Sequence, residues 1–247
     1  MKEFYIDSDG IKLHAKLVVP EGVEKCPLLI VVHGFTGHME EEHIVAVADT
    51  VTSIGFAALR VEMYGHGKSG GEFRKHTLLK WIGNILDVYD YARSLDFVTD
   101  IYLTGHSQGG LLTILAGGML RKKLKAILPL SPAVMIPEEA RKGMMLGTKF
   151  DPDNIPDSIS LFDIVLDAAY LETAQLIHVE EMIDRYKGPV LIVHGTKDEA
   201  VPFRYGKQTA ESYKNGKLVS IRDANHGYEG HIEEMREAVK QFLLENR

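Results

Sequence analysis

Short apolar segments typical of strands alternate along this chain with longer segments of helical periodicity, and this alternation limits the possible folds more than any other feature. The strand-like segments are 28–32, 56–61, 101–104, 126–130, 190–193 and 218–221, and the helical segments are 41–54, 77–94, 108–120, 203–214 and 231–245. Strands that are apolar almost throughout need cover on both faces, which is typical of a parallel sheet between helices. We therefore predict an α/β fold with a mostly parallel central sheet flanked by helices.

Two regions depart from this alternation. The first 18 residues alternate apolar and polar side chains around Asp9-Gly10, a two-residue turn signal, and predict an antiparallel hairpin. Between Ser131 and Gly188 there is no convincing core strand, and the Pro-rich segment FDPDNIPDSIS lies there. A connection of this length inside a compact domain usually carries function. We predict a core of residues 1–132 and 189–247, with residues 133–188 inserted as a cap.

Composition and charge narrow the classes of function. A net charge of -7 gives no reason to expect a nucleic acid or an anionic membrane as the partner. One cysteine, Cys26, cannot form an internal disulfide, no stretch approaches the length of a membrane span, and the N-terminus lacks an apolar leader pattern. A cytoplasmic protein with a small-molecule partner is expected, and a homodimer stays open.

The motif Gly105-His106-Ser107-Gln108-Gly109 points to chemistry. It has the pattern G-x-S-x-G and lies between a predicted strand and a predicted helix, which is the context that this motif requires. Glycines two residues to either side allow a turn sharp enough to expose the serine hydroxyl. The alternative for the motif taken alone is a glycine-rich turn with an incidental serine.

A serine hydroxyl becomes a good nucleophile only when a base takes its proton, and that base needs a carboxylate to orient it. The segment HGTKDEAVP places Asp198 after the predicted strand 190–193, and DANHGY places His226 before the last helix. All three side chains follow the carboxyl ends of predicted strands, which meet at one edge of a parallel sheet. We therefore predict Ser107 as nucleophile, His226 as base and Asp198 as the orienting acid.

The segment HGFTG follows the predicted strand 28–32, where one donor of an oxyanion hole is expected. The predicted donors are the backbone N–H groups of Phe35 and of Gln108, the residue after the serine. A plain glycine turn is the alternative. His33 and His194 each precede a glycine at a strand end, and we interpret both as turn-stabilising.

The segment GHGKSGG, residues 65–71, imitates two phosphate-binding motifs. A dinucleotide fingerprint needs its helix to begin at the third glycine, whereas residues 72–76 precede the helical pattern here. Glu62 stands where a P-loop would have its first glycine. No cofactor and no metal are predicted. A dinucleotide-binding oxidoreductase and a non-catalytic binding module are the alternatives from other classes.

Taken together, HGFTG, GHGKSGG, GHSQGG, HGTKDEAVP and DANHGY resemble the bacterial cinnamoyl (feruloyl) esterases of the α/β-hydrolase superfamily over nearly the whole chain. The resemblance implies a serine carboxylesterase that cleaves hydroxycinnamate esters through an acyl-enzyme. The cap segments DPDNIPD and AAYLETAQ are similar to the insertion that holds the aromatic acid in that family. By position, Glu139 and Tyr170 would bind the phenolic hydroxyl, and Leu146 aligns where some relatives carry a glutamine.

Fold and triad do not fix the substrate. A general short-acyl carboxylesterase, a monoacylglycerol lipase or a small peptidase with the same triad is therefore the alternative among enzymes.

Overall fold

The computed structural model describes all 247 residues. The strands are β1 (Lys2–Ser8), β2 (Ile11–Val18), β3 (Cys26–Val32), β4 (Ala57–Val61), β5 (Val98–His106), β6 (Ile127–Leu130), β7 (Met144–Met145), β8 (Thr148–Lys149), β9 (Ser158–Leu161), β10 (Ile164–Asp167), β11 (Val190–Gly195) and β12 (Gly216–Ile221). The helices are α1 (Glu42–Ser53), α2 (Leu78–Arg93), α3 (Gln108–Leu120), α4 (Ile136–Arg141), α5 (Ala168–Gln175), α6 (Val179–Arg185), α7 (Phe203–Ser212) and α8 (Ile232–Glu245). None of these helices is both long and apolar enough to cross a membrane.

Eight strands form the central sheet in the order β1-β2-β4-β3-β5-β6-β11-β12. Within this sheet the six neighbouring strands β4, β3, β5, β6, β11 and β12 pair in parallel, whereas β1 pairs with β2, and β2 with β4, in antiparallel fashion. The predicted α/β fold and the predicted N-terminal hairpin are therefore confirmed.

The sequence of the middle strand β3 is apolar throughout because both faces of this strand are buried. Leu28, Ile30 and Val32 belong to one buried cluster, whereas Leu29 and Val31 belong to a second cluster on the opposite face of the sheet. Helices α2 and α3 cover the first face, and α1 and α8 cover the second. A strand buried on both faces has no position at which a polar side chain is needed.

The segment between β6 and β11 forms α4, α5, α6 and two separate two-stranded hairpins, β7–β8 and β9–β10. None of its four strands joins the central sheet. Helix α4 packs against α5, and α6 packs against α3 of the core. Leu161, Leu166 and Tyr170 from this segment are fully buried in the larger cluster. The boundaries given for the cap, residues 133–188, stay a prediction.

Candidate active site

Ser107 occupies the turn between β5 and α3, with φ 56° and ψ -117°. This positive φ is rare for a residue with a side chain and marks a backbone held under strain. The turn is held because the Ser107 N–H donates to the Leu130 carbonyl at 2.9 Å. A Cβ at Gly105 would overlap the Gly109 carbonyl, and a Cβ at Gly109 would overlap the His33 carbonyl. The two glycines of the motif are therefore required by the close approach of α3 to β3 and β5.

Asp198 and His226 are hydrogen-bonded to each other. The His226 Nδ1 atom lies 2.8 Å from Asp198 Oδ2, and the other carboxylate oxygen, Oδ1, accepts N–H bonds from Ala200 and Val201 at 3.0 and 2.7 Å. The Asp198 side chain is fully buried, and that of His226 is 19% exposed. Because Nδ1 carries the ring proton and donates it to the carboxylate, the lone pair of His226 Nε2 is free to take a proton.

His194 adds a further donor to Asp198. Its Nε2 atom lies 3.2 Å from Asp198 Oδ2 and 2.9 Å from the Val201 carbonyl, at the end of β11. Burial alone would raise the pKa of Asp198, but the hydrogen bonds from His194 and His226 outweigh it and hold the pKa well below its usual range. Asp198 is therefore a carboxylate at neutral pH.

The turn at Ser107 and the loop of His226 are joined through His106. The His106 Nε2–H group donates to the His226 carbonyl at 2.9 Å, and the two imidazole rings lie 4.5 Å apart. Burial holds the pKa of His106 well below its usual value, so its ring is neutral. The Ser107 hydroxyl and the His226 ring make no direct hydrogen bond in this structure. Catalytic hydrogen bonds of this kind are often long before substrate binds.

The predicted oxyanion donors lie beside Ser107. A Cβ on Gly34, the residue before Phe35, would lie 3.3 Å from the Ser107 Cβ. The Phe35 N–H group donates to no acceptor of the protein. Gln108 is the first residue of α3, where N–H groups have no intrahelical partner. Both N–H groups are thus available at the serine turn.

His33 fixes the peptide unit that carries the Phe35 N–H group. The His33 Nε2 atom accepts the Met63 N–H at 3.0 Å, which puts the ring proton on Nδ1, and Nδ1 donates to the Gly34 carbonyl at 2.8 Å. Burial lowers the pKa of His33 to about 3, so the ring stays neutral. Because a peptide unit is planar, holding the Gly34 carbonyl also sets the direction of the Phe35 N–H.

The three predicted substrate contacts lie in the inserted segment. Tyr170, on α5, is fully buried and its hydroxyl donates to Gln108 Oε1 at 2.7 Å, while Gln108 Nε2 has no partner. Glu139, on α4, is half-buried and its carboxyl group makes no hydrogen bond or ion pair. Leu146 has φ 47° in the β7–β8 turn and packs against the larger core cluster. The structure thus brings Tyr170 to the residue beside Ser107 and shows no such direct link for Glu139 or Leu146.

No group of three or more His, Cys, Asp or Glu side chains is arranged to hold a metal ion.

Similarity to known proteins extends over nearly the whole chain. The model of the family described as serine aminopeptidase, S33, matches residues 24–186, and a second model, described as TAP-like protein, matches residues 169–247. A solved structure of Est1E from Butyrivibrio proteoclasticus with ferulic acid bound is 57% identical in sequence, with a TM-score of 0.97 over 98% of each chain.

Curated relatives are more distant and longer. Protein ABHD12B from Homo sapiens is 24% identical over 76% of this chain and 50% of its own length. The mitochondrial palmitoyl-protein thioesterase ABHD10 from Pongo abelii is 25% identical over 76% of this chain and 62% of its own length. The chain thus spans about half the length of the first of these relatives.

Proposed function

Because the chain belongs to the serine aminopeptidase S33 family of α/β-hydrolases, we propose that it is a serine carboxylesterase that hydrolyses feruloyl-type esters of hydroxycinnamic acids. The observation that carries this proposal is the 57% identity, over 98% of both chains, to Est1E with ferulic acid bound. At this identity and coverage the residues around a bound acid are expected to correspond closely.

In the proposed mechanism Ser107 Oγ attacks the ester carbonyl carbon, and His226 Nε2 takes the hydroxyl proton as the new C–O bond forms. The carbonyl electrons move onto the oxygen. When they return, the C–O bond to the alcohol breaks, and His226 gives its proton to the leaving alkoxide. Support for these roles comes from the 2.8 Å hydrogen bond between His226 and Asp198. A water molecule then attacks the acyl-enzyme in the same way and releases the acid.

We propose that the backbone N–H groups of Phe35 and Gln108 stabilise the negative oxygen of each tetrahedral intermediate. The unpaired Phe35 N–H and the position of Gln108 at the start of α3 support this role. Donors aimed at developing charge in a site closed to water contribute strongly, and loss of one such donor typically costs about 100- to 1000-fold in kcat.

The inserted segment, residues 133–188, is proposed as the cap that holds the acyl part, with Tyr170, Glu139 and Leu146 as contacts. The Tyr170 hydrogen bond to Gln108 keeps its ring close to the nucleophile. Burial and the neighbouring Glu138 raise the pKa of Glu139, whose carboxyl group has no protein partner and could accept a phenolic hydroxyl. Leu146 would add apolar surface against the aromatic ring.

Comparing turnover of methyl ferulate, p-nitrophenyl butyrate and a peptide amide tests the proposed substrate. We expect methyl ferulate to have the highest kcat/KM, and faster butyrate hydrolysis without ferulate turnover would indicate a general short-acyl esterase instead.

The nucleophile is tested by a substitution and a matched control. Ser107→Ala should abolish both turnover and labelling by a fluorophosphonate, whereas Ser212→Ala, at an exposed position of α7, should keep both. Labelling that persists in Ser107→Ala would refute the assignment of Ser107 as the nucleophile.

A cytoplasmic location and a homodimer stay proposals, which cell fractionation and the mass in solution would test.

A further inference from the structure

We propose that His66 is a positioning residue for the oxyanion hole: from the loop of residues 65–71 it holds the carbonyl group of Phe35, so that the N–H of the same residue stays aimed at the reacting oxygen. The inference rests on the proposed function, because it assigns a task within that reaction. It also gives a role to the segment GHGKSGG, residues 65–71.

The contact between the two loops is short and buried. His66 Nε2 lies 2.5 Å from the Phe35 carbonyl oxygen, and Nδ1 lies 3.0 Å from that of Tyr64. His66 is 5% exposed, and its ring is packed against those of Phe73 and Trp81, with centroids at 4.9 and 4.8 Å. A neutral imidazole has one N–H, and the proposal places it on Nε2, the nitrogen with the shorter contact, so that His66 donates to Phe35.

Both peptide units that flank Phe35 are held by an imidazole. His33 holds the Gly34 carbonyl, which belongs to the unit containing the Phe35 N–H, and His66 holds the Phe35 carbonyl in the next unit. Since each unit is planar, fixing both confines φ and ψ of Phe35 together. The direction of the Phe35 N–H is set by these two rings and not by a partner of its own.

The loop that carries His66 is itself held by hydrogen bonds that involve Glu62, Ser69 and His14. The Glu62 carboxylate accepts the Lys68 N–H at 2.7 Å and contacts His14 Nδ1 at 2.7 Å. Ser69 Oγ donates to the Glu62 carbonyl at 2.6 Å and accepts the His14 N–H at 2.8 Å. A Cβ at Gly67 would overlap the Glu62 carboxylate. A ring mounted on such a loop can hold Phe35 closely, which a positioning residue must do.

Loss of this positioning should reduce the stabilisation of the transition state more than it reduces the affinity for substrate. The negative oxygen exists only in the tetrahedral intermediate and the transition states next to it, so a misdirected Phe35 N–H lowers kcat and leaves the ground state nearly unchanged. A residue that only supported the pocket would change KM and product affinity as well.

Two variants of His66 and one control separate these roles. His66→Phe keeps a ring but has no donor, whereas His66→Gln retains an N–H of similar reach. His76→Phe is the control, because the His76 ring packs at 5.3 Å against the rings of both His66 and Phe35 but makes its only hydrogen bond to the Phe73 carbonyl. This variant disturbs the packing around Phe35 and leaves both hydrogen bonds to the flanking peptide units in place. The measurements are kcat and KM for methyl ferulate, and Kd for an arylboronic acid and for ferulate. The boronate forms a tetrahedral adduct with the serine.

For His66→Phe we expect kcat and boronate affinity to fall about 10- to 100-fold, with KM and ferulate affinity within about threefold of the unmodified enzyme. His66→Gln should recover most of the loss, and His76→Phe should keep the ratio of boronate to ferulate affinity. The proposal is overturned if folded His66→Phe keeps kcat and boronate affinity within about twofold, or if KM and ferulate affinity change as much as kcat.

The protonation of His66 can be measured on the unmodified protein, so this test does not depend on the folding of a variant. Nitrogen-15 NMR of the imidazole should show the proton on Nε2, and a proton on Nδ1 alone overturns the proposal, because such a ring cannot donate to Phe35. If the unmodified enzyme does not turn over methyl ferulate, the proposed substrate has failed. His66 is then judged with p-nitrophenyl butyrate and by the NMR result.

Discussion

Acidification from pH 7.0 to pH 5.5 should lower the free energy of unfolding by about 4 kcal/mol, because three histidines are buried in the neutral form. These residues are 6% exposed or less, and burial lowers the pKa of His33 to about 3 and those of His43 and His76 to about 4. In the unfolded chain the same groups titrate near pH 6.5.

The sign follows from which state binds protons. Below pH 6.5 the unfolded chain takes up protons at these histidines, whereas the folded protein does not until about pH 4. The contribution of these histidines to the free energy of unfolding is therefore complete above pH 6.5. It falls as the pH drops from there towards their pKa values in the folded protein. Each histidine lowers the free energy of unfolding by a little over about 1 kcal/mol between pH 7.0 and 5.5, and the three together by about 4 kcal/mol. His66 and His106, whose pKa values burial also lowers, act in the same direction. A loss of this size is a large part of the stability of an ordinary domain.

Urea unfolding followed by circular dichroism at the two pH values measures this difference. His76→Phe removes one of the three rings, so the pH-dependent loss should shrink by about a third, whatever the variant does to stability at pH 7.0. His178→Gln changes an exposed histidine and should leave the loss as it is. Equal stability at both pH values, or a more stable protein at pH 5.5, would refute the argument from buried neutral histidines.

Three further substitutions test the candidate site. Asp198→Asn replaces the carboxylate that His226 contacts at 2.8 Å, and kcat for methyl ferulate should fall about 10⁴-fold; retention of a tenth of the activity would contradict the role of Asp198. Tyr170→Phe leaves Gln108 Oε1 buried without a donor, so urea unfolding should show a loss of about 1–3 kcal/mol, and an unchanged midpoint would contradict this. Gly109→Ala puts a Cβ onto the His33 carbonyl and should lower the free energy of unfolding by about 1–3 kcal/mol or more in the same measurement. The matched Gly83→Ala, in open space on α2, should instead stabilise by up to about 1 kcal/mol, and equal effects of the two changes would contradict the steric argument.

Much of the fold could be predicted because the core strands are apolar on both faces and end at glycines or polar loops. The predicted strand 28–32 lies within β3, and the predicted helix 108–120 has the bounds of α3. The hairpins β7–β8 and β9–β10 were not predicted, because strands of two to four residues outside the main sheet are too short to show a period.

The residues of the candidate site also fall into those that the sequence could predict and those that it could not. Strand-end loops carry motifs, so the sequence could propose Ser107, Asp198 and His226, and the structure joins the last two by a hydrogen bond. The supporting histidines have no such signal: His66 reaches a carbonyl 31 positions away, and His106 reaches one 120 positions away. A hydrogen bond to a distant backbone group leaves no spacing or periodicity to detect. His194, four residues before Asp198 at the end of β11, is the one whose spacing could have suggested its contact.

The position of Trp81 has an optical consequence. It is the only tryptophan of the chain, it is fully buried, and its indole N–H donates to the Tyr64 carbonyl at 3.2 Å. Its ring meets those of His33 and His66 nearly edge-on, at 5.0 and 4.8 Å. Since the chain has one tryptophan, all tryptophan emission of this protein comes from beside these two imidazoles. The chain thus carries its own fluorescent reporter next to the loop that holds Phe35.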